Sequence, residues 1–273
     1  MPGGVMPEGT MPEGARPEGA MEEVALLGRM PVVPVGTADA VATIAARDPA
    51  APFGYVNWVN AQVLVLAEDR ANGLRDAYDG AWLRLNDSRV LARLHRWATG
   101  RAVPVAPGSE MTVSLLRDHL RPDDPVTIIG GSEEMLRRLR DRYGLRRIAL
   151  HEPPMGYADK PEAWEAAIRF VLDHPARLVF VATGVPRSER LLAELARRGG
   201  ATGVGLSVGS GLLFAVGLTR RAPDALREAG LEWLHRAWTE PRRLGRRYAA
   251  DLLPLLRIAR RARRDARAER SRR

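Results

Sequence analysis

The sequence predicts an α/β fold: a Rossmann-like parallel sheet covered by helices, with a basic helical appendage at the C-terminus. Three observations carry this. From Phe53 onward, short strand-like apolar runs alternate with longer helical runs, the pattern of parallel strands joined by helical crossovers. The helical runs open on Ser, Asp or Asn and close on Gly, residues that satisfy or release the backbone groups at helix ends. Charge is also segregated. Of the net +9, residues 241–273 hold thirteen arginines against Asp251, Asp265 and Glu269, a net +10 that leaves a body near neutrality.

The elements follow in order. Phe53–Val59 (FGYVNWV) reads as a strand, and 60–73 (NAQVLVLAEDRANG) as a helix ending at Gly73. Ala81–Leu85 is a short strand, followed by a loop and helix that close on Gly100. Pro125–Gly131 is a strand, and 132–144 a helix capped by Ser132. Lys160–Pro175 is an amphipathic helix, Ala176–Gly184 a strand, 185–200 a helix, and 202–211 a strand entering a Gly turn. Residues 199–219 carry no charge and contain a GxxxG pair, Gly205 and Gly209. Their glycines suit a buried strand, turn and short helix better than the roughly 20 apolar residues of a membrane span.

Three segments result. Residues 1–24 repeat a Pro-Glu-Gly unit that cannot bury a core and reads as disordered, without the apolar middle of a signal peptide. Residues 25–230 form the α/β domain, and residues 231–273 the appendage. Absence of cysteine excludes disulfides, thiolate metal sites and a Cys nucleophile. The five histidines are scattered, with no HExxH, and no GxSxG supports a hydrolase.

Ligands of open parallel sheets bind beyond the carboxyl ends of the strands. That rule selects Asn60, Asp87, Gly130, Gly131, Ser132, the segment from Gly184 to Glu189, and Gly209 to Gly211 as one rim. Asp87 is either a base at a strand end or, with Ser88, a helix cap. Gly130 and Gly131 either admit a phosphate to a helix N-terminus or make an ordinary tight turn. Trp233, Leu234 and Trp238 could be a packed helix face, but that leaves Arg236, Arg242, Arg243, Arg246 and Arg247 unexplained. Read as a helix from Pro254, the tail gathers Leu255, Ile258, Ala259, Ala262 and Ala266 on one side. Arg257, Arg260, Arg261, Arg264 and Arg267 spread over the other, as in a helix lying in a bilayer interface, so a chain ending at Tyr248 is expected to stay folded.

Residues 220–248, RRAPDALREAGLEWLHRAWTEPRRLGRRY, resemble the closing signature of the WecG/TagA/CpsF glycosyltransferases, with its RAP, GLEW, EP and RRY blocks. Weaker blocks fall in family order: VNWVNAQVLVLAED, LNDSRVL, PGSEMT, VTIIGGSEEMLRRL, PPMGY, VATGVPRSE and GLSVGSGLLFAVGLT. The resemblance runs from about Tyr55 to Tyr248. It implies an inverting, metal-independent transferase without a cofactor. The implied donor is a UDP-sugar (N-acetylmannosamine, its uronic acid or glucose), and the implied acceptor is a polyprenyl-diphosphate-linked sugar at an anionic inner-membrane face.

The family's base falls on Asp87 and its donor-side Asn on Asn60. Its other substrate-binding blocks place Ser109, Gly130, Gly131, Ser188, Glu189 and Gly209 at the ligand. Its diphosphate-binding arginines fall on Arg236, Arg243 and Arg246. Membrane contact would come from Trp233, Trp238, Arg257, Arg260, Arg261 and Arg264. Three positions depart from the pattern: Trp58 stands for a Thr, Ser88 for a Gly and Ser188 for a Gln. A homo-oligomer is left open. So is a membrane-bound binding protein of the same fold without turnover, which Trp58 favours. A nucleic-acid role for the basic tail is disfavoured, since aromatics there are few and no recognition motif is present.

Overall fold

The computed structural model describes residues 22–219, 222–223, 225–226, 230–239 and 245–272. Six parallel strands form one sheet in the order β4-β3-β8-β7-β5-β6. They are β3 (Gly54–Val59), β4 (Leu83–Asn86), β5 (Val126–Ile129), β6 (Ile148–His151), β7 (Leu178–Val181) and β8 (Val204–Leu206). A small antiparallel hairpin, β1 (Val24–Leu26) and β2 (Met30–Val32), precedes them. The mixed α/β, Rossmann-like architecture agrees with the sequence expectation.

Side chains alternate across each strand, so each face of the sheet builds its own core. On one face Val56, Leu85, Ile128, Phe180 and Leu206 pack with α1 (Thr37–Ala45), α5 (Gly108–Ser114), α6 (Glu133–Tyr143) and α9 (Gly211–Ala215). On the other, Tyr55, Ile129, Val179 and Val181 pack with α7 (Pro161–Asp173) and α8 (Arg187–Arg198). A third core joins the hairpin to α2 (Ala61–Leu66), α3 (Leu74–Asp79) and α4 (Arg89–Thr99).

Several local expectations need correction. The helix expected over 60–73 is broken: α2 ends at Leu66, a 3-10 turn spans Arg70–Asn72, and Gly73 (φ +68) swings the chain into α3. Strand β6 falls in a stretch for which no strand was expected; it is an edge strand only half covered, preceded by Arg146 and Arg147. Caps at Ser132, Gly100 and Gly144 lie where expected: the Ser132 hydroxyl accepts from the Met135 N–H, and both glycines have positive φ. The uncharged 199–219 stretch contains β8, a turn and α9. Among the described residues no helix is long and apolar enough to cross a membrane.

The largest difference concerns the tail. Helix α10 (Glu232–Thr239) is followed by α11 (Arg246–Ser271), which starts eight residues before Pro254 and carries that proline inside it. Leu255, Ile258, Ala259 and Ala262 of α11 are buried in the third core, among Leu26, Met30, Val63, Leu91 and Ala98. The apolar side expected to meet lipid therefore meets the protein, because α2, α4 and the hairpin leave an apolar face that this helix fills. Arg263 stacks on Trp97 at 4.3 Å, and Arg270 donates to the Thr99 carbonyl, fastening α11 along α4. Arg257, Arg260, Arg261, Arg264 and Arg267 remain exposed.

Candidate active site

The sheet order brings the carboxyl ends of β4, β3, β8 and β7 side by side. Val59 is in register with Asn86, so Asn60 and Asp87 leave the sheet as neighbours. After β4 the chain leaves the sheet edge and rejoins the sheet at β5, beyond β7, and such reversals of strand order are where open sheets form their ligand crevice.

The turn after β4 is laced to the segment 104–108. The Ala106 N–H donates to the Asn86 carbonyl at 2.8 Å, and the Asn86 amide donates to the Pro104 carbonyl at 3.0 Å. The Asp87 N–H donates to the Val59 carbonyl at 3.0 Å, and its carboxylate Oδ1 accepts the Gly108 N–H at 2.8 Å. Ser88, not Asp87, caps α4: its hydroxyl accepts the Leu91 N–H at 3.2 Å. That decides between the two capping candidates. Asp87 is half-buried, held by a donor 21 positions away at the first residue of α5.

Trp58, in place of the family Thr, turns away from solvent into the core under α5, 5% exposed. Its indole N–H donates to the Ala106 carbonyl at 3.0 Å, and its own carbonyl accepts the Tyr78 hydroxyl at 2.7 Å. Tyr78 is fully buried. Burial, and then the nearby charges of Glu189 and Asp87, push its phenol far above the ordinary range, so it stays a hydrogen-bond donor.

Glu189 lies in the first turn of α8 and is 3% exposed. Burial pushes its carboxyl up to about 7, opposed by its own backbone N–H and by Arg187. Ser188 is equally buried, and its hydroxyl accepts the Thr183 N–H at 3.2 Å. The Thr183 hydroxyl in turn meets the Tyr157 hydroxyl at 3.0 Å. Ser188 and Glu189 thus sit beneath the rim and shape the loop after β7. Arg187 donates to the Thr183 carbonyl at 2.7 and 2.9 Å.

The remaining sequence candidates divide. Asn60 caps α2, accepting the Val63 N–H at 3.1 Å, at the rim beside Asp87. Ser109 follows Gly108 in α5 and is half-buried. Gly209 lies in the turn after β8 with φ +52. Gly130 and Gly131 both have positive φ. A Cβ on Gly130 would meet the Thr183 methyl at 2.9 Å, and one on Gly131 would strike Met135. The backbone of the turn therefore calls for glycine at both positions, under either reading of it.

The appendage reaches the same rim. A Cβ at Gly230 would meet Arg93 at 3.0 Å and Arg89 at 3.4 Å, so the chain entering α10 crosses the first turns of α4, next to Asp87. Arg236 and Arg246 fall on α10 and α11 and are placed by backbone alone; Arg243 lies outside the described residues, as do Arg242 and most of the Pro-Glu-Gly segment. Trp233 meets Tyr248 edge-on at 6.0 Å, tying α10 to the start of α11. Trp238 is 85% exposed, and Trp233, Leu234, Leu252 and Leu253 are also exposed. Among the described residues no three His, Asp or Glu side chains form a metal-holding group.

The model of the glycosyl transferase WecG/TagA/CpsF family matches residues 24–269. The chain belongs to this family. The match runs beyond the motif blocks at both ends and takes in the hairpin and nearly all of α11, the two elements that complete the third core. This WecG/TagA/CpsF-family chain is accordingly a glycosyltransferase.

Sequence reasoning had singled out Asp87 but not the Gly108 N–H that holds it, nor Tyr78 behind it. A Pro-Gly pair opening a helix was the available signal, since it presents backbone N–H groups that need an acceptor.

Proposed function

We propose that this glycosyltransferase transfers a sugar, with inversion and without a metal, from a UDP donor to a polyprenyl-diphosphate-linked sugar in cell-surface polysaccharide synthesis. The observation that carries the reading is the Asp87 carboxylate, oriented by the Gly108 N–H at the carboxyl end of β4, beside Asn60 and under the chain leading into α10. In the proposed step the acceptor hydroxyl oxygen attacks the anomeric carbon as its proton passes to Asp87. The bond from that carbon to the diphosphate oxygen breaks, and the electron pair leaves with UDP. Charge then grows on the diphosphate, where Arg236, Arg243 and Arg246 would stabilise it.

The acceptor's lipid calls for a membrane surface. Exposed Trp238, Trp233, Leu252 and Leu253 on α10 and α11, with the exposed arginines of α11, support peripheral attachment to an anionic inner leaflet. Trp58 is accommodated in the core beneath the Asp87 turn, which supports turnover over a binding protein of the same fold. UDP release from UDP-N-acetylmannosamine, its uronic acid and UDP-glucose, with a short-chain polyprenyl-diphosphate-linked sugar, tests the reading. No acceptor-dependent release from any of these donors would count against it.

A further inference from the structure

The replacement of the family Thr by Trp58 has a structural partner in Gly108. Gly108 does not have positive φ, so its backbone does not require glycine. A Cβ there would lie 3.1–3.3 Å from three atoms of the Trp58 ring, closer than nearly all real contacts of that kind. The indole thus lies directly against the Gly108 backbone, and its N–H holds Ala106, two residues earlier, at 3.0 Å. Gly108 is the residue whose N–H holds the Asp87 carboxylate.

We infer that Trp58 is a positioning residue for Asp87, acting through the 106–108 backbone that it clamps from below. The inference rests on the proposal that Asp87 is the base. The physical argument is one of angular freedom. The Gly108 N–H opens a seven-residue helix and follows a proline-containing loop, so its direction depends on what holds residues 104–107. Asn86 pins that loop from one side, at Pro104 and Ala106. Trp58 pins it from β3 and closes the space under Gly108. Removing the indole N–H leaves the Ala106 carbonyl short of a donor in a buried site and loosens the contact that aims Gly108. A base must sit within hydrogen-bond reach of the proton it takes, so a small rotation of its carboxylate lowers turnover rather than donor binding. Trp58 itself touches no reacting atom in this scheme.

The test is a double-mutant cycle on the full chain, with Trp58→Phe, Asp87→Asn and the pair, using the same donor panel and acceptor. Trp58→Phe should lower kcat by about 10- to 100-fold, the scale of a misplacement near 1 Å, with donor KM within about twofold. In the Asp87→Asn background it should cost less than twofold. Equal losses in both backgrounds would overturn the inference and leave the base assignment standing. Near-normal turnover of Asp87→Asn would instead remove the base assignment, and the inference with it.

Amide hydrogen exchange supplies a readout free of substrate. The Gly108 N–H should exchange at least about tenfold faster in Trp58→Phe, while Ile128 in strand β5 is unchanged. Unchanged Gly108 exchange would overturn the clamp directly. Where Trp58→Phe does not fold, Gly108→Ala, which drives a methyl into the indole, takes its place in the kinetic cycle with the same expected and contrary results.

Discussion

The Asp87 carboxylate accepts the backbone N–H of Gly108 at 2.8 Å, joining the end of β4 to the start of α5 across 21 residues. This bond separates a carboxylate poised at the rim from one that merely caps the helix following it. Ser88, the next residue, takes the cap and leaves Asp87 aimed elsewhere.

Asp87→Asn follows from that geometry. The Asn carbonyl can still accept from Gly108, so the turn should survive, with thermal stability close to wild type. Loss of the basic oxygen should lower turnover by about 10²–10⁴ while UDP affinity, measured by calorimetry, changes little. A folded Asp87→Asn enzyme with near-normal turnover would end the base assignment.

Glu189 makes stability fall with pH. Its carboxyl is pushed up to about 7 in the folded chain, above the 4.5 of a free glutamate, because ionising it in the core costs solvation. The folded state therefore holds the proton more tightly. This contribution is complete below pH 4.5 and is lost as pH rises through about 7. Glu189→Gln should flatten the wild-type decline over that window, by on the order of 3 kcal/mol at its upper end. Urea unfolding at intervals from pH 5 to 8 checks this, and parallel curves for the two proteins would remove Glu189 as the cause.

Ile258 tests the seat of α11. It is 4% exposed among hairpin, α2 and α4 residues. Ile258→Ala should cost about 2–5 kcal/mol, the range for emptying such a core position. By the same logic a chain cut after Tyr248 uncovers Leu26, Met30, Val63, Leu91 and Ala98, and should aggregate. A soluble, cooperatively melting truncated chain would show that the helix does not complete this core.

The exposed arginines of α11 test membrane attachment separately from folding. Replacing Arg257, Arg260, Arg261 and Arg264 by Gln should leave the melting temperature within a few degrees, since all four face solvent. Co-sedimentation with anionic vesicles should drop steeply, at about 1 kcal/mol per arginine, and the wild-type binding should weaken with salt. Binding that persists in the quadruple variant and is lost on Trp238→Ser would assign the contact to the exposed aromatic group instead.

The alternation of strands and helices, their caps at Ser132, Gly100 and Gly144, and the basic appendage were legible in sequence because they depend on near neighbours. So was the shared rim of Asn60 and Asp87, since parallel crossovers place every strand's carboxyl end on the same side. Strand β6 escaped notice because a four-residue edge strand that follows two arginines has no periodic signature. The break after Leu66 was missed because Ala67, Glu68, Arg70 and Ala71 are all residues a helix accepts, so nothing local marks the end of α2 before Gly73.

The chain's local chemistry by itself determined an α/β sheet, a carboxylate at its rim and an amphipathic basic helix at its end. The tertiary structure alone decided what that carboxylate and that helix meet. Asp87 turns from cap to rim group because Gly108 offers it a donor. Trp58 is structural because Ala106 and Gly108 lie against it. The apolar side of α11 turns inward because α2, α4 and the hairpin leave a matching face uncovered. Amphipathicity states that a face will be buried, not against what, and a hydrogen-bonding group states that it needs a partner, not which one. Those choices belong to contacts between residues far apart in the chain, and no local pattern encodes them.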